Sequence, residues 1–445
     1  MSRIKFSLND YRDGFAEGYF LPPDILCPYY EIDPTLYKAF NSRDWRLKMS
    51  FNELRKRVGK EYFSEIYPLQ ARTLDYSTRA FPSYRFILPE VLTYDWLSIV
   101  NWEKPGRDHV LHQPLCGYIV LKLLDDSRES GGLLLPNNKT ILQTCVNNIL
   151  QWKETAYIRE FLLDCGMDKN DPILDINNKI SHICWRIFLR EAAFTAAVFH
   201  DLGYPWRYAE TIQRNLEGIN TPAVKQNQGA EQIVDLFGSR LLYSPFNGYQ
   251  TIDATCPSTW KNKLVNLTSL SLSKTHGFPG ALGFLHLNDC IRRYPYKMRS
   301  PMHSLCVEWA AVAIMMHDMR EIYWGENKST ADIPENSFLR LDFNRDPLSS
   351  IVTLVDVIQE FGRPAVTYED AEKFQVNLKY EKPCSDTELE VENGVMTLRY
   401  KIENDEKRAL KLKYISSDKY KYFDNQNGFL NLESLGINDV MLVVN

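Results

Sequence analysis

The sequence predicts a mainly α-helical protein that carries a small β-rich or α+β appendage at its C-terminal end. Three observations carry this. Apolar residues recur at helical spacing over 110–124, 141–162, 192–199, 306–316 and 351–361. Helix start and stop residues flank several of those runs: Ser300-Pro301 before one, Gly203 and Pro205 after another. From Ala365 the composition changes to short alternating runs, FQVNLKY, TELEVENGVMTLRYKI and ALKLKYI, with Asn393-Gly394 as a hairpin turn. The expected organisation is an N-terminal arm or cover over 1–95, a helical domain over 96–364, and the appendage over 365–445.

The chain has 445 residues, 44% of them hydrophobic and 13% aromatic, which is ample material for a large core. A net charge of −5 gives no electrostatic footprint for nucleic acid or an anionic membrane, although a local basic groove stays open as a route for nucleic acid. The nine cysteines are odd in number and form no C-x-x-C, so they read as reduced thiols. The first residues lack the apolar core of a signal peptide, and no apolar run reaches the ~18 residues that span a bilayer. The expectation is a soluble cytoplasmic protein with no membrane partner. Nothing in these features sets an oligomeric state.

Residues 1–95 are rich in Tyr, Phe, Leu and Pro and read as an extended lead-in, with one amphipathic helix over 51–67. In 101–126, Pro105-Gly106 marks a turn and Asp108 an N-cap, and a helix with one broad buried face follows. Pro114 predicts a break of that helix into a short turn and a longer part. His109 and His112 are three apart and share a face where that turn is helical. His182 lies on the same helical run as His200 but ~27 Å away along its axis, so it has no role at a shared site.

The strongest local signal is 191–206, EAAFTAAVFHDLGYPW, a buried helix with His200-Asp201 at its C-terminal end. Gly203 is placed as its cap. Burying an imidazole and a carboxylate there is costly unless something pairs with them, and a metal pairs with both. His276 is followed by Gly277 and Gly280, small residues that allow a close backbone approach. A further buried helix ends at His317-Asp318, echoing His200-Asp201. His303, at the start of that helix, is ~21 Å away along the axis and is set aside. Asp356 sits inside the apolar run over 351–361, where a lone carboxylate needs a cation or several donors.

In chain order the candidates are His112 (or His109), His200-Asp201, His276, His317 and Asp356, a donor set suited to a borderline or hard divalent ion. With the surrounding text RDHVLH, AAVFHDLGYP, HGFPGA, AIMMHD and LVDVIQEFGRP, this order resembles the HD-domain superfamily of metal-dependent phosphohydrolases, over residues 100 to 364.

The resemblance implies an HD-like helical core holding a divalent metal, with two ions drawn from Mn, Fe, Mg, Ni, Co or Zn. His112, His200, Asp201 and Asp356 would surround the first ion. Asp201 would bridge to a second held by His276 and His317. Such a pair activates water and neutralises charge on phosphoryl oxygens. His109 would act as general acid, or replace His112 as ligand. Tyr204 stands where many members carry lysine after HDLG, so Arg107, Arg207 and Lys274 are the candidates for binding phosphate. The expected activity is that of a phosphohydrolase or phosphodiesterase acting on a nucleotide, a cyclic nucleotide, another small phosphate ester or nucleic acid. The rival expectations are a diiron oxygenase on an HD-like fold and a non-catalytic metal-binding sensor or scaffold.

Overall fold

A computed structural model of the chain describes residues 2–7, 9–11, 109–125, 133–151, 155–175, 177–204, 274–292, 301–325, 337–361, 365–369, 377–381, 384–403 and 405–445. The first described element is a strand, β1 (Ser2–Ser7), in which Ile4 and Phe6 turn inward while Arg3 and Lys5 face solvent. Next come the helices α1 (His109–Leu123), α2 (Ile141–Gln151), α3 (Thr155–Asp164), α4 (Lys179–Phe199), α5 (Gly277–Arg292) and α6 (Pro301–Met316), then the short α7 (Arg320–Trp324). A two-residue strand β2 (Leu341–Asp342) precedes α8 (Pro347–Ile358). The C-terminal part holds β3 (Ala365–Glu369), β4 (Asn377–Glu381), β5 (Cys384–Glu392), β6 (Val395–Ile402), α9 (Asp405–Phe423), β7 (Leu430–Asn431) and β8 (Asp439–Val444).

Helix α4 is the hub, packing against α1, α2, α6 and α8. Its last two turns, Glu191 to Phe199, are buried on every side, as expected of a helix that is apolar all round. Helix α6 is buried in the same way from Ser304 to Met316. Each fully buried Leu, Ile, Val, Phe or Met contributes about 1.5–3 kcal/mol relative to exposure, so these two helices fix the core. Helix α8 has its start set by Asp346, whose side chain accepts from the backbone N–H of Ser349 at 3.1 Å, with Pro347 following. Helix α1 runs through Pro114 without the expected break.

The fold class differs from the mainly α expectation of an HD-like helical core with a small appendage. Of the described residues 57% are helical and 18% are strand, a mixed α/β composition. A four-stranded mixed sheet runs in the order β1-β5-β6-β8. Strands β1–β5 and β5–β6 are antiparallel, and β6–β8 is parallel. The sheet is built from both ends of the chain. Residues 2–7 of the expected N-terminal arm are its edge strand, with Ile4 opposite Leu389 and Phe6 opposite Thr387. Residues 12–108 lie outside the described residues, and with them the helix expected over 51–67, the Pro105-Gly106 turn and Asp108. A six-residue alternation is too short to announce a strand whose partner lies at the other end of the chain. Within the appendage the difference runs the other way: ALKLKYI, read as an alternating run, lies inside α9, where Ala, Leu and Lys are strong helix formers.

The β hairpin forms where expected, with Asn393 at φ 50° and Gly394 at φ 80°, both in the left-handed region that a two-residue hairpin turn requires. The sheet is fastened to the helical part close to the end of α8. The Tyr400 hydroxyl donates to the Val357 carbonyl at 3.1 Å, and the rings of Phe6 and Phe361 stack at 6.5 Å. Strands β2 and β7 pair in parallel, and the Tyr323 hydroxyl donates to the Asn427 carbonyl at 2.7 Å. Among the described residues, no helix is long and apolar enough to cross a membrane.

Candidate metal centre

Three helix ends and two helix starts converge on a single buried cluster. His112 comes from the first turns of α1. His200 and Asp201 follow α4, His276 precedes α5, His317 follows α6, and Asp356 lies in the last turn of α8. The backbones can meet because three glycines leave room. A Cβ on Gly203 would lie 1.8 Å from the His276 carbonyl oxygen and 2.7 Å from the Gly280 nitrogen. A Cβ on Gly277 would lie 2.6 Å from the Ile314 carbonyl oxygen. Gly203 is therefore not the left-handed helix cap the sequence suggested. It has no positive φ, and its role is contact with the backbone beside His276.

All six residues expected to bind metal are brought together. Asp201 divides them. Its Oδ2 lies 3.4 Å from His200 Nε2 and 3.6 Å from His112 Nε2. Its Oδ1 lies 2.8 Å from His276 Nε2 and 4.0 Å from His317 Nε2. Asp356 completes the first half, with Oδ1 at 3.0 Å from His112 Nε2 and 3.6 Å from His200 Nε2. The centre is closed on most sides. His200 is fully buried and Asp201 6% exposed in its side chain, against 31% for Asp356, so the cluster opens to solvent beside Asp356.

The outward ring nitrogens are already committed. His200 Nδ1 lies 2.7 Å from the Ala197 carbonyl and His317 Nδ1 2.7 Å from the Ile314 carbonyl. A carbonyl only accepts, so each Nδ1 donates. The Gln359 amide donates to the Phe361 carbonyl at 2.8 Å, which turns its Oε1 towards His112 Nδ1. Asp318 Oδ2 lies 2.7 Å from His276 Nδ1 and also accepts the His276 backbone N–H at 2.7 Å. All four rings thus present Nε2 inward, the arrangement in which outer partners set the tautomer of metal-binding histidines. His112 Nε2 lies 3.1 Å from His200 Nε2, and His276 Nε2 lies 3.1 Å from His317 Nε2. Two neutral rings would face each other there with lone pairs and no hydrogen between them. The pairs call for a cation, either a proton or a metal ion.

Protonation follows the same logic. Burial disfavours charge on His276, but Asp318 and Asp201 outweigh it and raise the ring to about 10. Burial also works against charge on His200, yet Asp201 and Asp356 raise it. His317 is pushed down to about 4 by burial and by the neighbouring His200 and His276. Burial opposes the Asp318 carboxylate, but the His276 ring holds it down at about 2. Asp356 is held well below the usual carboxylate range by His112 and His200, against its burial.

The donor chemistry fits a metal. His112, Cys116, His200 and Asp356 offer donor atoms that all lie within 4.8 Å of one another, and so do His200, Asp201 and His317. These buried His, Cys and Asp groups are compatible with metal binding.

The remaining candidates are not placed at the cluster. His109 is the first residue of α1, but its side chain lies outside the described residues, as do Arg107 and Arg207 entirely. Lys274 is exposed, two residues before His276. Sequence reasoning missed Asp318, Gln359 and Cys116. The repeated His-Asp dipeptide was the available signal for Asp318. Gln359 and Cys116 had only helical spacing, three residues after Asp356 and four after His112. Tyr204, noted only as a departure from lysine, stacks on the His276 ring with centroids 3.9 Å apart.

No protein-family model, no curated protein and no solved structure matches the chain. The functional reading therefore rests on the chemistry of this cluster.

Proposed function

We propose that the chain is a metal-dependent phosphohydrolase of HD-domain type, with two divalent ions, hydrolysing a phosphate ester such as a nucleotide. The observation that carries the reading is the division of Asp201. Its Oδ2 faces His112 and His200, and its Oδ1 faces His276 and His317. A carboxylate so placed is the natural bridge between two ions. When bound, such a pair supplies an activated water and neutralises charge on the phosphoryl oxygens.

The protein's own groups do the rest. The Ala197 and Ile314 carbonyls, Gln359 and Asp318 hold the four rings with Nε2 inward. Asp356 lines the open side, so a phosphate ester approaches past it. His109, three residues before His112 on α1, is the proposed general acid towards the leaving group. Arg107, Arg207 and Lys274 are the proposed contacts for substrate phosphate.

The test is Asp201→Ala, with metal content and phosphoesterase activity measured on the same preparation. Both should fall, activity by at least ~100-fold for loss of a group that positions the reacting water. Unchanged metal content and activity would contradict the proposal.

A further inference from the structure

We propose that Tyr204 is a positioning residue for the second ion. Its ring clamps the face of His276 and raises the affinity of the His276 and His317 half of the centre, while the half made by His112, His200 and Asp356 does not depend on it. This rests on the two-ion reading above and gives one of the two ions a control of its own.

Tyr204 closes the turn that follows α4, its backbone N–H donating to the Asp201 carbonyl at 3.2 Å. The same turn grips His276. Asp201 Oδ1 lies 2.8 Å from the ring at Nε2. Gly203 packs on the His276 carbonyl oxygen, where a Cβ would lie only 1.8 Å away. The Tyr204 ring lies over the imidazole, with centroids 3.9 Å apart and planes 21° from parallel. The ligand histidines meet one another edge-on instead, at interplanar angles of 72°, 90° and 70°.

The stacked ring supplies a constraint that the polar contacts lack. Asp318 holds the imidazole at Nδ1, 2.7 Å away, and Asp201 faces it at Nε2. Two contacts at opposite edges leave the ring free to tilt about the line that joins them. An aromatic face laid against it removes that tilt. An imidazole already held in its binding orientation has less freedom to lose when the ion arrives, and that loss is a main cost of binding. Freeing one side chain in this way weakens binding by about 2- to 12-fold. The contact is made by the ring, so the tyrosine hydroxyl is not required for it.

The experiment titrates zinc into the metal-free full chain by calorimetry, against a competing chelator, for the wild type, Tyr204→Leu, Tyr204→Phe and His276→Ala. The step lost in His276→Ala identifies the second ion. Two steps are expected in the wild type. Tyr204→Leu should weaken the second ion's step by about 2- to 12-fold and leave the other as it was, and Tyr204→Phe should restore it. Wild-type affinities in Tyr204→Leu, equal weakening of both steps, or Tyr204→Phe as weak as Tyr204→Leu would overturn the role of Tyr204 and leave the two-ion centre standing. A wild type that takes up one ion or none would contradict the two-ion reading and this role together. Should Tyr204→Leu not fold, a crystal structure of the zinc-loaded wild type decides the matter. The Tyr204 ring still parallel to His276 beside a bound ion is expected, and a ring turned away from His276 would overturn the proposal.

Discussion

The Nε2 atoms of His112 and His200 face each other at 3.1 Å, while the Nδ1 atom of each ring is engaged by an oxygen from Gln359 or Ala197. Two rings arranged in this way cannot hydrogen-bond to each other in their neutral forms. The same geometry recurs between His276 and His317. Each pair is compatible with a proton or a metal ion between its rings, and Asp201 lies between the two pairs.

Asp318 holds His276 by both its ring and its backbone N–H. Asp318→Asn should therefore fold and still lose metal affinity, by about 10–100-fold, as is usual when the outer partner of a ligand histidine is removed. Competition with a chelating dye would show it. An affinity equal to the wild type would mean that His276 is oriented without Asp318.

In the metal-free protein, stability should peak near neutral pH. His317 resists protonation down to about 4, against an ordinary value of 6.5, so the unfolded state binds more protons between these values and stability falls as pH drops through them. His276 is raised from 6.5 to about 10, so its contribution is complete below 6.5 and is lost as pH rises through 10. Asp318, lowered from 3.8 to about 2, adds stability above 3.8 that is lost as pH falls through 2. Thermal melts in chelator across this range test the shape, and a melting temperature that keeps rising to pH 10 would contradict it. Metal must displace the proton of His276, so the extra stability gained on adding metal should grow with pH.

Gly203 carries the approach of the turn after α4 to the backbone at His276. Gly203→Ala would place a carbon 1.8 Å from the His276 carbonyl oxygen, a contact that only backbone movement relieves. A loss of about 1–3 kcal/mol is expected from overpacking of this kind. Metal content should fall along with stability, since His276 moves with its backbone. Denaturant unfolding and metal analysis on one preparation check both, and a wild-type-like result in each would show that the turn can yield.

Much of the centre was legible in the sequence because its residues break local rules. His200, Asp201, His317 and Asp356 are polar groups at the ends of, or inside, apolar helices, where burial demands a partner. His276 was marked by its glycines, and their close-contact role is what the structure shows. Asp318 and Gln359 stayed hidden because their function is a hydrogen bond to a residue on another segment, which no local pattern encodes. The same limit hid the sheet's N-terminal edge strand. Ile4 and Phe6 alternate with Arg3 and Lys5, but nothing nearby says that their partner strand is 384–392. In α9, the alternation of Leu and Lys in a short window was outweighed by the helix propensity of the whole segment.

The central claim is that the cluster holds divalent metal, and it is tested most directly by metal analysis of the purified wild type beside His200→Ala. About two equivalents in the wild type, with loss in His200→Ala, is the predicted result. No bound metal in the wild type, even after reconstitution with manganese, iron, cobalt, nickel or zinc, would contradict it.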